Sequence, residues 1–352
     1  MNINVETQDW IKALDMLRGY VVAHPELVVT SQSLSVPQNL RTEFFHRVTQ
    51  VQLTLIEKIL SNKVEEGLEV VRHCSLVRDE LTKMSGLREF RLASTLENLI
   101  ADPKETLAKP AFGIVLDGLQ QGLTPEEMET RATKSLTQFF KELIRNAYEA
   151  WAYYGIVAAL KPVRFYGVYS PDTVEVHAVE TDSIVVGAQI NSPERRMPEA
   201  VFETQDGRVF AMKSEVAREL DFYGQKVTRR RDNSAGGNTI GIIAHRVLLL
   251  YEIDSVDKLS LIADRDKLFI LPSDLMCEFL LPSEMEQPSY ASLFVGRINM
   301  VRSKRPVQVL AFNEKGKFPE GFLEHNTVPP VERRTIGFET TKLQEIADLL
   351  TN

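Results

Sequence analysis

The sequence predicts an α+β protein in which an N-terminal α-helical bundle (residues 1–160) precedes a β-rich α+β domain (residues 161–352). Two observations carry this prediction. Up to Leu160, apolar residues recur at three- and four-residue steps, which is the period of an amphipathic helix. From Val163 onward, apolar and polar residues alternate in short runs that are rich in β-branched side chains, as is typical of strands. A length of 352 residues is sufficient for two domains.

Several helical segments account for the first predicted domain. They are residues 6–23, residues 37–60, residues 63–83, residues 87–100 and a short helix that begins at Pro103. We expect Asp102 to cap the last of these, because Pro103 follows it directly and Glu105 comes three residues after it. Three glycines between residues 113 and 122 then interrupt the pattern, so a loop is predicted to follow this short helix.

A long helix is predicted from Thr124 to Leu160, and Thr124 and Glu127 form a capping box at its start. Its apolar stripe is wide and partly aromatic. The stripe comprises Leu136, Phe140, Leu143, Ala147, Trp151 and Tyr154. Such a stripe predicts burial among several partners, as in the central helix of a bundle. The aromatic residues near its end are predicted to be core residues or interface anchors, and they are Tyr148, Trp151, Tyr153 and Tyr154.

The second predicted domain contains an internal repeat. Residues 201–221 align with residues 260–280 at a constant offset of 59. Each copy is predicted as a strand, an Asp-containing tight turn, a strand and a short helix capped by Ser214 or Ser273, and a further strand precedes each copy. The two β-β-β-α units then comprise about residues 184–221 and residues 246–280. Chance similarity between two β-rich segments is the alternative. Other predicted strands are residues 164–169, 173–178, 183–188 and 306–312, and a strand and a helix at residues 341–350 close the chain.

Composition excludes several classes of protein. The longest apolar stretch, residues 151–160, is half as long as the about 20 residues that a membrane-spanning helix needs. The first ten residues lack the basic and apolar segments of a secretory signal. Cys74 and Cys277 lack metal-ligand spacing, so neither a disulfide scaffold nor a zinc finger is expected. We therefore expect a cytoplasmic protein without a membrane partner and without a metal site.

Charge is spread evenly along the chain. The formal net charge is −8, and the two predicted domains each carry −4. A protein that coats nucleic acid usually presents a basic domain, because phosphate contacts dominate its affinity. Nucleic acid is therefore not expected as a general partner.

The sharpest local motif is Glu142-Leu-Ile-Arg-Asn146-Ala-Tyr-Glu149-Ala on the long helix. Glu142 and Asn146 are four residues apart and so lie on one helix face. The motif resembles the E-L-x-x-N-A-x-(D/E)-A box of the ATPase superfamily that includes gyrase, the heat-shock chaperone ATPases and the histidine kinases. This resemblance implies Mg-ATP as a cofactor, with Asn146 as the magnesium ligand and Glu142 as the base that orients the attacking water. The Asp-x-Gly-x-Gly turn of that family is absent from residues 163–200.

His46 is the phospho-acceptor that the same resemblance implies. It is predicted to be exposed, because it lies opposite the apolar stripe of its helix, and it precedes Asn146 by 100 residues. The alternative interpretation gives this region no catalytic role. In that case Glu142, Arg145 and Glu149 form the solvated edge of a buried structural helix.

A basic loop is the second candidate site. Arg229, Arg230 and Arg231 precede Gly236 and Gly237, and guanidinium groups in such a loop bind phosphates in a bidentate manner. A strand, Gly-rich loop and helix do not follow one another here, so neither a Rossmann nor a P-loop nucleotide site is expected. The alternative is a long connection between strands whose charges are solvated.

The leading function prediction is non-enzymatic. We expect a regulatory or assembly protein that binds another protein or its own copies as a homo-oligomer and needs no cofactor. The sequence contains no G-x-S-x-G elbow, no Cys/His signature and no H-E-x-x-H motif, which supports this interpretation. One alternative is a nucleotide-dependent signalling protein with a degenerate site at Asn146, Glu142 and His46. The other is a polyanion or nucleic-acid contact through residues 229–231.

Overall fold

A computed structural model defines the fold. It describes residues 9–169, 176–186, 198–214, 247–261, 272–281, 294–295, 298, 302–312 and 330–351. An N-terminal helical region is followed by a large mixed β-sheet, so the predicted α+β class is confirmed.

The helices and strands follow one another along the described chain. The helices are α1 (Asp9–Ala23), α2 (Arg41–Leu60), α3 (Asn62–Met84), α4 (Ser94–Ala101), α5 (Pro103–Gln121), α6 (Pro125–Ala159) and α7 (Thr340–Thr351). The strands are β1 (Val28–Thr30), β2 (Ser33–Ser35), β3 (Glu89–Arg91), β4 (Pro162–Tyr169), β5 (His177–Glu180), β6 (Ser183–Val185), β7 (Ala200–Thr204), β8 (Val209–Lys213), β9 (Val247–Ile253), β10 (Leu275–Leu280), β11 (Val307–Phe312) and β12 (Val331–Ile336).

The chain divides into two compact units. One comprises Met1–Arg72 and Thr95–Ala147, and the other comprises His73–Ser94 and Tyr148–Asn352. Both α3 and α6 contribute residues to each unit. The domain boundary that composition predicts between residues 160 and 161 stays a prediction.

In the first unit, α2 packs against both α1 and α5. The helix starts agree with the sequence. Asp102 Oδ1 accepts a hydrogen bond of 2.9 Å from the backbone N–H of Glu105, which confirms the predicted cap of α5. The capping box before α6 is also confirmed, because the backbone N–H of Thr124 donates to Glu127 Oε2 and the backbone N–H of Glu127 donates to Thr124 Oγ1.

The loop predicted after the start of α5 is wrong, since α5 continues through Gln121. Gly113 and Gly118 lie inside the helix, and Gly122 ends it in the left-handed conformation with a φ of 65°. A Cβ at Gly118 would lie 2.5 Å from Met128 Sδ. Gly118 therefore allows close packing of α5 on α6 and does not break the helix.

The single helix predicted for residues 87–100 is also wrong. Residues 89–91 form the short strand β3, and α4 begins only at Ser94. Strand β3 pairs in parallel with β6, and the backbone N–H groups of Arg88 and Glu89 both donate to the carbonyl of Asp182. A partner strand almost 100 residues away thus decides the conformation of residues 89–91. The local pattern of apolar residues carries no information about this partner.

An eight-stranded mixed sheet organises the second unit, in the order β12-β11-β10-β9-β8-β7-β4-β5. Strands β10, β11 and β12 are parallel, and every other neighbouring pair is antiparallel. The strands predicted at 164–169 and 306–312 and the closing helix at 341–350 correspond to β4, β11 and α7.

The two faces of the sheet have different cores. Aliphatic side chains dominate one face, including those of Val201, Ala211, Leu249, Met276, Leu280 and Val309. Successive side chains alternate between faces, so Phe202, Phe210, Phe279 and Phe312 belong to the other face. There Tyr148 of α6 packs on Phe279 and Phe312, with ring centroids 4.9 and 4.1 Å away. The width of the apolar stripe on α6 correctly predicted burial, but its last part packs on a sheet and not within a helical bundle.

The predicted helix after Ser273 is wrong, because residues 275–280 form strand β10 between β9 and β11. In the other copy of the proposed repeat, β7, a turn containing Asp206 and β8 agree with the prediction. Residues 215–246 and 262–271 lie outside the described residues. The repeat as a whole therefore stays a prediction.

Candidate functional site

The nucleotide-site candidates lie on two helices. Glu142 and Asn146 are half-buried and one turn apart on α6, and Glu142 Oε1 accepts a hydrogen bond of 2.6 Å from Gln138 Nε2. His46 lies on α2 and is exposed, as predicted. Among the described residues, no hydrogen bond joins His46 to Glu142 or Asn146. The nucleotide-site interpretation stays a prediction.

The alternative interpretation, a solvated edge on α6, is wrong for two of its three residues. Arg145 and Glu149 are fully enclosed, with exposed fractions of 1% and 0%. From Leu143 to Val157, every side chain of α6 is buried or half-buried. Both charged residues take part in interactions inside the protein. Helical periodicity placed them away from the main stripe but did not show that this side was covered as well.

The basic-loop candidates Arg229, Arg230, Arg231, Gly236 and Gly237 lie outside the described residues. The polyanion interpretation therefore stays a prediction.

The aromatic residues at the end of α6 are structural, as predicted. Tyr148 and Tyr153 are buried, and each hydroxyl bonds to the main chain near the end of a strand. Tyr148 Oη donates to the carbonyl oxygens of Ile336 and Gly337, both at 2.7 Å. The hydroxyl of Tyr153 accepts a 2.9 Å hydrogen bond from the backbone N–H of Phe279. Burial raises the pKa of Tyr148, so its hydroxyl stays protonated and remains a donor.

A surface groove between α2 and α5 is the feature of the first unit that best suits binding. The two helices run antiparallel, since Phe45 stacks on Phe112 with ring centroids 6.2 Å apart and Gln52 Nε2 donates to the carbonyl of Ala108 at 3.2 Å. The main apolar stripe of α2 is buried, but Phe45 and Leu53 lie beside it and keep exposed fractions of 38% and 43%. The sequence therefore provides α2 with a second apolar strip that the fold leaves partly open to solvent.

A cavity of about 300 Å³ lies at one end of this groove. Its lining residues are Gln50, Leu53, Thr54, Ile56 and Glu57 of α2, Val64 of α3, and Lys104 and Leu107 of α5. We call Phe45, Phe112 and these lining residues together the α2–α5 groove. The volume of the cavity is at the lower end of the usual range for ligand pockets, and four of its eight lining side chains are aliphatic.

Opposite charges flank the cavity. Glu57 and Lys104 come from different helices and are both exposed. Within the part of the chain that the structure describes, neither is in an ion pair. By contrast, Glu43 and Arg47 of α2 pair with each other at 2.6 Å. Glu57 and Lys104 are thus available to groups from outside.

The described residues include no group of three or more His, Cys, Asp or Glu side chains arranged to hold a metal ion. None of the helices in the described ranges is long and apolar enough to cross a membrane.

Comparison with protein-family models, with curated proteins and with solved structures gave no significant match. The function of this chain is therefore inferred from its own residues.

Sequence reasoning missed the α2–α5 groove, although part of its signal was present. Phe45 and Leu53 stand two i+4 steps apart and outside the main stripe of their helix, which indicates a second apolar strip. Phe112 gave no such signal, because it stands at the end of the short helix that was predicted before Gly113. The groove exists only once α5 is continuous and packed along α2.

Proposed function

We propose that this chain is a protein-binding component in assembly or regulation, and that it binds an amphipathic helix of a partner protein in the α2–α5 groove. The observation that carries the proposal is the exposed apolar strip of Phe45 and Leu53 beside α5, which ends in the cavity. Two large apolar side chains on one side of α2, next to a partly apolar cavity, favour an interaction site.

The dimensions of the groove suit a helix. Phe45 and Glu57 are twelve residues apart, so at 1.5 Å per residue the groove is about 18 Å long. About three turns of a partner helix cover this length, and their side chains at i, i+3, i+4 and i+7 form the apolar strip that such grooves bind. The partner's anchoring side chain enters the cavity beside Leu53 and Ile56.

The exposed apolar side chains of the groove supply part of the binding free energy. Full burial of a Phe or Leu side chain contributes about 1.5–3 kcal/mol, and about two fifths of Phe45 and Leu53 remain to be buried. Each of them thus contributes about 1 kcal/mol to partner binding, before the contribution of the anchoring side chain in the cavity.

The proposal is tested with a displayed library of peptides of about 16 residues, patterned as amphipathic helices and selected on the full-length protein. We expect peptides that bind the wild type, and we expect Phe45→Glu to abolish their binding, because a carboxylate then occupies the apolar strip. Met16→Glu is the matched control, since Met16 is an exposed apolar residue on α1 of the same unit. It should bind like the wild type.

Three results contradict the proposal. The first would be a library that gives no binder, and the second would be binders that are insensitive to Phe45→Glu. The third would be a wild type that self-associates in sedimentation analysis and becomes monomeric with Phe45→Glu. The last result identifies a second copy of this chain as the occupant of the groove.

A further inference from the structure

We infer that Glu57 and Lys104 determine which helix the groove accepts and in which direction it lies. This inference rests on the proposed function. The partner helix carries a basic residue on the flank of its apolar strip that faces α2 and an acidic residue on the flank that faces α5.

The first step is the placement of the charges. Glu57 and Lys104 are the charged members of the cavity lining, they have opposite signs, and Glu57 belongs to α2 whereas Lys104 belongs to α5. A helix that lies along the groove has one flank over α2 and the other over α5. A Lys or Arg on the first flank reaches Glu57, and an Asp or Glu on the second flank reaches Lys104.

The second step is energetic. Exposed ion pairs contribute little to affinity, and the median is below about 1 kcal/mol. A helix with an acidic residue near Glu57 or a basic residue near Lys104 instead places like charges together. This is strongly unfavourable beside an apolar cavity, because binding of the helix excludes water there. The two charges therefore act mainly by rejecting mismatched helices.

The third step concerns direction. Turning a helix end for end in the groove exchanges its two flanks. A helix with one basic and one acidic flank then matches Glu57 and Lys104 in one direction and is repelled in the other. Apolar contacts with Phe45, Leu53 and Phe112 alone do not impose this choice.

The experiment compares two selections from the same peptide library. One uses the wild type and the other uses the double variant Glu57→Lys/Lys104→Glu, which keeps the net charge. We expect the enriched peptides to have inverted flank charges in the two selections. The best wild-type peptide should lose about tenfold or more in affinity for the double variant, and exchange of its flank charges should restore binding to within about threefold.

A matched control is available on α1. Lys12 and Asp15 are exposed, three residues apart and of opposite sign, and the double variant Lys12→Glu/Asp15→Lys makes the same exchange away from the groove. It should enrich the same peptides as the wild type.

The inference and the proposed function fail in different ways. If peptides bind and depend on Phe45, but the wild type and Glu57→Lys/Lys104→Glu enrich the same flank charges, the charge inference is wrong and the groove remains a binding site. If no peptide depends on Phe45, the proposed function is wrong and the inference falls with it.

Discussion

Removal of the Tyr148 hydroxyl tests how the last part of α6 is attached to the sheet. This hydroxyl is buried and donates to the carbonyl oxygens of Ile336 and Gly337, where β12 ends. Tyr148→Phe keeps the aromatic ring and its contacts with Phe279 and Phe312. The substitution therefore deletes the hydrogen bonds and little else.

The expected cost follows from the geometry. One hydroxyl has one proton, so the two carbonyls share a single donor and the loss corresponds to about one hydrogen bond. Leaving a buried acceptor without a donor costs about 1–3 kcal/mol in the free energy of unfolding. For a unit of 150–250 residues, each kcal/mol lowers the melting temperature by about 2–4 °C, so a decrease of roughly 2–12 °C is expected.

Fluorescence in a urea titration measures this effect directly. The ring of Trp151 lies 5.2 Å from that of Tyr148, so its emission reports on the second unit. The other tryptophan, Trp10, belongs to the first unit, and Trp10→Phe in every variant removes its signal. Tyr169→Phe is the control, because Tyr169 is 47% exposed and its loss should cost less than about 0.5 kcal/mol. The reasoning is refuted if Tyr148→Phe is no more destabilising than this control.

Two other predictions concern stability. Gly113→Ala should stabilise the protein by about 0.5–1 kcal/mol, because Gly113 lies inside α5 and a Cβ there meets open space. Gly67→Ala should destabilise it by about 1–3 kcal/mol, because its Cβ would lie 2.6 Å from the ring of Phe140. Thermal unfolding of both variants checks these opposite signs. The hydrogen bond from Arg208 lowers the pKa of Glu252 in the folded protein below its ordinary value of 4.5. The ionised Glu252 therefore stabilises the folded state above pH 4.5, and this contribution is lost as the pH falls through the pKa of the folded state. Below about pH 4.5, the unfolding free energy of the wild type should therefore fall more steeply than that of Glu252→Gln, and equal slopes in urea titrations between pH 3 and 7 would contradict this.

The features that were correctly predicted depend on residues close together in the chain. Asp102 caps α5, and Thr124 exchanges hydrogen bonds with Glu127. In both caps, the donor and the acceptor are only three residues apart. The period of the apolar residues likewise distinguished helices from strands, since it reflects which side chains share one face of a single element. The exposure of His46 followed from the same rule.

The wrong predictions concern residues whose conformation or environment depends on another element. Strand β3 exists because β6 pairs with it, and the residues after Ser273 are extended because β9 and β11 lie on either side of them. Gly118 was interpreted as a helix breaker, but it lies inside α5, where the missing Cβ leaves room for Met128 of α6. The sequence shows that a residue is small or apolar and does not show what it touches.

The sequence by itself determined the α+β class, the order of helical and β-rich regions and the starts of α5 and α6, because these depend on local hydrogen bonds and on the period of apolar residues. Only the tertiary structure decided that Arg145 and Glu149 are enclosed, that α6 ends against a sheet and that α2 and α5 leave a groove between them. Burial and grooves are properties of two packed elements, and the pattern within one element describes only its own face.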